Sequence, residues 1–221
     1  SWSLDEVDFG VTGPYFDANT TATTITPQQA AAATGKTLTL SATTGVNNDQ
    51  GWLTTDVGRI VKFNGGTAKI TARTNSTVAV ATIVDAFTNT DATVAFQLGS
   101  FSNTNGFPSS VSFFEQRLVF SATNDQPQTI FFSKSGDYEN MSAGTNDDDA
   151  MVYTIASNQV NAIKSMKATR TLIVMTTGGE YSVSSGNASA ITPTNVSIIK
   201  QSNYGSAGVD ALSIGNATIF L

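Results

Sequence analysis

The stretch VSFFEQRLVFSAT, residues 111–123, contains two short apolar runs separated by a polar pair, a pattern that predicts a tight β-hairpin. The pattern returns in NAIKSMKATRTLIVMTTGG from residue 161 and in ALSIGNATIFL from residue 211. One more strand follows each of the first two, in QTIFFSKSGDY and in GGEYSVSSG. Intervals of about 50 residues are typical of β-propeller blades. Residues 111–221 are therefore predicted to form part of a β-propeller-like domain, with two blades and the start of a third.

The preceding part of the chain predicts a small β-barrel or sandwich over residues 36–98. Five short runs of strand-forming residues recur there with turn residues between them, and Gly65–Gly66 marks a hairpin. These runs are KTLTLSA, GRIVKFN, TAKITAR, TVAVATIV and TVAFQL. Residues 1–35 are predicted to be an extended N-terminal segment, and the Gly-, Asn- and Ser-rich residues 99–110 a linker. The whole chain is thus predicted to be all-β.

Composition excludes several classes of function. The 221 residues include no cysteine and no histidine, which removes disulfides, cysteine nucleophiles, His-based triads and most zinc, copper or haem sites. The net charge of −6 argues against an electrostatic grip on nucleic acid. No run approaches ~18 apolar residues, so no membrane-spanning segment is predicted. We expect no cofactor and no catalytic residues.

Two aromatic pairs, Phe113–Phe114 and Phe131–Phe132, lie in predicted strands. Side chains alternate between the two faces of a strand, so one member of each pair must point away from the core of its own sheet. Buried interfaces between blades, or between subunits, would account for such a second apolar face. The pairs therefore predict packing on both sides of the sheet.

The acidic segment SGDYENMSAGTNDDDA, residues 135–150, holds the candidate metal ligands. Three consecutive aspartates in an extended chain point to opposite faces, so at most two of them can converge on one ion. A solvated or intersubunit turn is the preferred interpretation, and a weak metal site is the alternative. Its candidate ligands are Asp137, Glu139, Asp147 and Asp149.

Aromatic side chains are the candidates for ligand or subunit contacts, because they can stack on the C–H faces of sugars. The candidates are Trp2, Trp52, Tyr138, Tyr181 and Tyr204. Trp52 is also a natural core residue. Paired carboxylates for glycoside hydrolysis would have to come from residues such as Glu115, Glu139 and Glu180, and nothing in the sequence makes them converge.

Long strings of the second half resemble the tail-tube or nozzle proteins of short-tailed bacteriophages. They are FPSSVSFFEQRLVFSATNDQPQTIFFSKSGDYENM, DDDAMVYTIASNQVNAI, GGEYSVSSG and ITPTNVSIIKQSNYGS. The resemblance as a whole covers residues 105–221 almost continuously. The segment GWLTTDVGRIVKFNGGTAKITARTNSTVAVATI is similar to a small inserted barrel of such proteins, itself likened to the FCCH-type domain of ubiquitin-activating enzymes. That likeness is one of fold and carries no ubiquitin chemistry.

The resemblance implies a structural virion component, made in the host cytoplasm and built into the phage tail. Copies would surround an axis, commonly about six of them, and contact adjacent tail proteins. DNA would pass through the channel without specific binding. The first residue, Ser1, and the apolar ending NATIFL lead us to expect a piece of a longer protein.

The sequence leaves two alternatives open. One is a glycan-binding module or tail-associated adhesin, in which the small barrel recognises a host surface sugar. The other is a depolymerase of surface polysaccharide, which would require two convergent carboxylates in a cleft.

Overall fold

The computed structural model describes residues 9, 11–156, 159–186, 188–209, 211–214 and 217–220. The fold is all-β, as predicted, with 43% of residues in strands and curled antiparallel sheets that form a half-barrel. Across the described ranges the helical structure is a single 3-10 turn at Thr54–Asp56. No helix in those ranges is long and apolar enough to cross a membrane.

The described residues contain sixteen strands. They are β1 Ile25–Pro27, β2 Ala33–Leu40, β3 Ile60–Phe63, β4 Gly66–Arg73, β5 Val78–Asp85, β6 Gln97–Leu98, β7 Ser110–Phe114, β8 Arg117–Ser121, β9 Thr129–Phe132, β10 Met151–Thr154, β11 Ile163–Ala168, β12 Leu172–Thr176, β13 Gly179–Ser184, β14 Ser197–Ser202, β15 Leu212–Ile214 and β16 Ala217–Ile219.

The chain divides into two compact units, which we call the barrel unit and the repeat unit. The barrel unit is residues 13–106. The repeat unit comprises residues 107–220 together with residues 9, 11 and 12 near the start of the chain. This division differs from the predicted one, since residues 13–35 and 99–106 belong to the barrel unit rather than to a separate N-terminal segment and a linker.

The barrel unit holds one six-stranded antiparallel sheet in the order β1-β2-β5-β4-β3-β6. Residues 93–98 reach both edges of this sheet, because Thr93 pairs with Ile25 of β1 while β6 pairs with β3. All five predicted runs form strands, β2 to β6. Strand β1 was not predicted, and it enters the sheet because Ile25 is fully buried in the core with Trp52 and Phe96.

The β3–β4 hairpin turns one residue earlier than the Gly65–Gly66 signal predicted. Phe63 pairs with Gly66, so the two turn residues are Asn64 and Gly65. Both have positive φ, 44° and 72°, the conformation that a two-residue hairpin of matching twist requires. Asn and Gly tolerate that conformation better than other residues, which explains their place in the turn.

The repeat unit contains two four-stranded antiparallel meanders. The first has the order β7-β8-β9-β10 and the second β11-β12-β13-β14, and the β15–β16 hairpin follows. These hairpins begin close to residues 111, 161 and 211, where the sequence repeat places them. Four-stranded meanders are the blade unit of β-propellers. The two sheets share one hydrophobic core, to which Phe114 and Phe132 of the first and Val174 and Val183 of the second contribute.

Candidate interaction surface

The two faces of the first meander are both apolar. On the inner face, Phe114 is 5% exposed and belongs to the core shared with the second meander. On the outer face, Phe113 is 61% exposed. Phe113 and Phe114 therefore lie on opposite faces of the strand, as the sequence predicted, and the Phe113 ring is exposed to solvent.

The strand register defines which residues share the outer face. Val111 lies opposite Phe120, and Phe120 lies opposite Phe131, so these three side chains are neighbours across β7, β8 and β9. Phe131 is fully buried although it points away from the shared core. The second aromatic pair, Phe131–Phe132, is thus buried on both faces of the sheet.

A segment of the chain itself covers part of this outer face. The ring of Phe9 meets that of Phe120 edge-on, with 5.6 Å between centroids. The Thr12 hydroxyl donates to the Glu139 carbonyl oxygen at 2.9 Å, and the Met141 amide donates to the same hydroxyl at 3.3 Å. These contacts hold Phe9 against β8 and Thr12 against the loop after β9.

The part of the outer face on β7 stays open. Val111 is 58% exposed and Phe113 61%, and the ring of Tyr138, 44% exposed, meets Phe113 at 5.3 Å and 79°. We call Val111, Phe113 and Tyr138 the outer aromatic face. Val111 and Phe113 lie on β7, the edge strand of its sheet, and Tyr138 joins them from the loop after β9. Three large apolar side chains exposed together at a sheet edge are typical of an interaction site.

The repeat gives this face a counterpart. When RLVFSAT, residues 117–123, is aligned with TLIVMTT, residues 171–177, Leu118 and Phe120 match Leu172 and Val174. Leu172 and Val174 are fully buried in the core between the two meanders. The outer face of the first meander is therefore equivalent to the face that the second meander packs against the first. In stacked repeats, such a face receives the preceding repeat.

The aspartate triplet is organised by a buried cation. Arg117, 1% exposed, donates from Nη2 to the Asp147 carbonyl oxygen at 2.7 Å. Its Nη1 donates to the carbonyl oxygens of Asp149 at 2.7 Å, Ser133 at 2.8 Å and Asp148 at 3.3 Å. The triplet is thus a turn that wraps its backbone around a guanidinium.

The carboxylates of this turn meet a lysine. The Lys134 ammonium lies 3.0 Å from Asp148 and 3.8 Å from Asp149. A hydrogen bond from Lys134 lowers the pKa of Asp148, and the same bond raises the pKa of Lys134. Burial lowers the pKa of Arg117, and the charge of Asp148 opposes that shift. The loop therefore carries an exposed ion pair on its outer side and encloses the buried Arg117 cation.

The candidate metal ligands do not come together as a site. The Asp149 carboxylate accepts two hydrogen bonds from Asn146, both at 3.0 Å. Glu139 contributes its carbonyl oxygen to Thr12, and the Asp137 amide donates to the Lys134 carbonyl oxygen. In the described part of the chain, no group of three or more Asp or Glu side chains is arranged to hold a metal ion.

The candidate aromatic contacts fall into different environments. Trp52 is fully buried in the barrel core, so it is a packing residue and offers no surface to a sugar. Tyr181 is largely buried in the repeat unit, with the Lys200 ammonium 5.9 Å from its ring centroid. Tyr204 is 91% exposed, and Tyr138 lies in the outer aromatic face. Trp2 lies outside the described residues.

The sequence interpretation missed a buried ion pair in the barrel unit. Asp56 and Arg59 are both buried and 3.0 Å apart. Asn47 at 2.7 Å and Thr104 at 2.7 Å also donate to Asp56, and Arg59 Nε donates to the Gly99 carbonyl oxygen at 2.9 Å. The available signal was the Asp-Val-Gly-Arg spacing in a chain with only 13% charged residues. The network ties two loops to the sheet and has a structural role.

No protein family model matches the chain, and no curated protein matches it.

Proposed function

We propose that this chain is a structural subunit of a bacteriophage tail, of the tube or nozzle type. The observation that carries the proposal is the outer aromatic face. This apolar surface of the first meander is open, whereas the equivalent surface of the second meander is buried. Its occupant is the repeat unit of a neighbouring copy, which supplies the same kind of sheet face that packs inside the chain. In this role the chain performs no catalysis.

A head-to-tail contact of this kind joins two different surfaces, so it forms a ring when the rotation closes. The ring would surround the channel through which DNA leaves the capsid and would contact adjacent tail proteins. A subunit with a net charge of −6 suits such a channel, since few cations are available to hold phosphates. DNA then passes without specific binding.

Self-association is tested by analytical ultracentrifugation of the chain over a wide concentration range, with negative-stain electron microscopy of the largest species. We expect concentration-dependent oligomers with an open centre. Phe113→Asp places a charge in the contact and should shift the population to monomers. Val84→Asp is the matched control, because Val84 is an exposed apolar strand residue of the barrel unit.

Virion location needs a separate measurement. Antibodies raised against the chain, with immunogold detection, should label the tails of phage particles whose genome encodes this sequence. Labelled tails with a monomeric chain would retain the tail role and reject self-association through the outer aromatic face. Particles without label would overturn the proposed function.

A further inference from the structure

The repeat unit contains a cleft that the proposed structural role does not use. It has a volume of about 410 Å³ and lies between strands β13 and β14 and the connection from β10 to β11. Its lining includes Ala156, Gln159, Asn161, Gly178, Tyr181 and Lys200. The volume lies within the range of small-molecule sites, roughly 300–1,000 Å³.

Lys200 provides a positive charge at this cleft. It lies opposite Tyr181 across β13 and β14, so both side chains are on one face of the sheet. The Lys200 ammonium lies 5.9 Å from the centre of the Tyr181 ring. Among the described residues, no carboxylate lies within 4.0 Å of this ammonium. The charge is available to a ligand.

Asn161, another lining residue, provides hydrogen-bonding groups to the cleft. Within the described ranges its side-chain amide makes no hydrogen bond, so both its donor and its acceptor are open. Gly178 lies directly against this amide, and a Cβ at position 178 would collide with it. The glycine therefore sets the position of Asn161 in the cleft.

The remaining wall is apolar. Ile198 lies two residues before Lys200 on β14 and lines the cleft beside it. Together with Tyr181 and Ala156, which also line the cleft, it offers a surface for C–H groups. A cation, an open amide and an apolar wall thus converge on one small volume.

We propose that this cleft binds an acidic sugar, a pyranose ring that carries a carboxylate. The carboxylate would accept a charge-assisted hydrogen bond from Lys200, which is stronger than a bond between neutral groups. Ring hydroxyls would pair with the Asn161 amide, and the C–H face of the ring would pack against Ile198 and Tyr181. A neutral sugar lacks the charge-assisted bond to Lys200. A simple carboxylate lacks the hydrogen bonds to Asn161 and the packing against Ile198 and Tyr181.

The test compares three probes on the intact chain by two-dimensional NMR. Glucuronate carries ring and carboxylate, glucose carries the ring alone, and acetate carries the carboxylate alone. We expect glucuronate to shift the resonances of Asn161, Gly178 and Lys200 in a saturable way. Glucose should bind about tenfold more weakly, and acetate should leave these resonances in place.

Lys200→Gln should weaken glucuronate binding about tenfold and leave the weak glucose binding unchanged. Lys167→Gln is the matched control, because Lys167 lies on β11 of the same sheet, paired with Ile173 and away from the cleft. Gly178→Ala, which displaces Asn161, should weaken both sugars. Circular dichroism checks that each variant keeps the fold.

Equal binding of glucuronate by wild type and Lys200→Gln would overturn the proposal. So would acetate shifts as large as those of glucuronate, since the cleft would then be a carboxylate site only. The absence of saturable shifts with every probe would overturn it as well.

Discussion

Phe113 and Phe114 are neighbours in sequence and lie on opposite faces of the first meander, one 61% exposed and the other 5% exposed. Phe114 packs in the core shared by the two meanders, whereas the Phe113 ring contacts the exposed ring of Tyr138 on the other face. The same residue type thus stabilises the core at position 114 and forms part of the exposed surface at position 113. The reason is the two-residue period of a β-strand.

The two phenylalanines should differ in their effect on stability. Phe114→Ala leaves a cavity in a buried core and should lower the free energy of unfolding by about 3–5 kcal/mol. Phe113→Ala removes an exposed ring and should lower it by less than about 1 kcal/mol. Urea unfolding followed by circular dichroism measures both, and similar losses for the two variants would contradict the assignment of faces.

Removal of the Arg117 guanidinium should release the aspartate turn. Arg117→Met leaves the carbonyl oxygens of Ser133, Asp147 and Asp149 without their donor, which should lower the free energy of unfolding by about 2–4 kcal/mol. Hydrogen exchange at residues 146–150 should accelerate.

Lys134→Met is the control for that experiment, because it removes the exposed ion pair and keeps the buried cation. Exposed pairs of this kind add little to stability. Unchanged exchange in Arg117→Met, or equal acceleration in Lys134→Met, would show that the guanidinium does not organise the turn.

The buried pair in the barrel unit should be sensitive to neutralisation of one partner. Asp56→Asn keeps the shape of the side chain but leaves the Arg59 charge buried without a carboxylate, which should lower the free energy of unfolding by about 3–5 kcal/mol. Fluorescence of the buried Trp52 in a Trp2→Phe background reports on the barrel unit alone.

Additional replacement of Arg59 by Met should recover part of that loss, because the uncompensated charge is gone. Asp91→Asn, at an exposed aspartate of the same unit, is the matched control and should leave the transition in place. A double variant less stable than Asp56→Asn would contradict this account of the pair.

Tyr15 should make the barrel unit sensitive to alkaline pH. Burial, with a smaller contribution from the charge of Asp85, raises the pKa of Tyr15 from 10.0 to about 12. Above pH 10.0 the unfolded state loses this proton while the folded state keeps it. The contribution to stability is therefore complete below pH 10.0 and is lost as the pH rises toward about 12.

Burial also raises the pKa of Tyr153, so Tyr15 is not the sole source of late titration. Absorbance titration of the phenolate band should therefore show a late-titrating component in the wild type that is reduced by one tyrosine in Tyr15→Phe. The variant should also lose less stability than the wild type between pH 10.0 and about 12. A titration curve that Tyr15→Phe leaves unchanged would contradict the assignment.

Local sequence patterns were sufficient to locate most strands. The five runs between residues 36 and 98 became β2 to β6, and the repeat starts at 111, 161 and 211 became the hairpins of the repeat unit. Alternation of side chains and turn residues act over a few positions, so they can be read without knowing the rest of the fold. The alternation of side chains also predicted that Phe113 and Phe114 lie on opposite faces of the sheet.

Contacts between distant parts of the chain were decided by the tertiary structure. Strand β1 joins the barrel sheet through β2 and through Thr93, far along the chain. Arg117 reaches the carbonyl oxygens of Asp147 and its two successors, and Lys200 faces Tyr181 across two strands. Whether a segment forms a strand depends on its neighbouring residues. Whether a charge is buried or a cleft opens depends on which distant segments the fold brings together. Packing of the whole chain decides this, because a buried polar group is stable only where distant partners form hydrogen bonds with it.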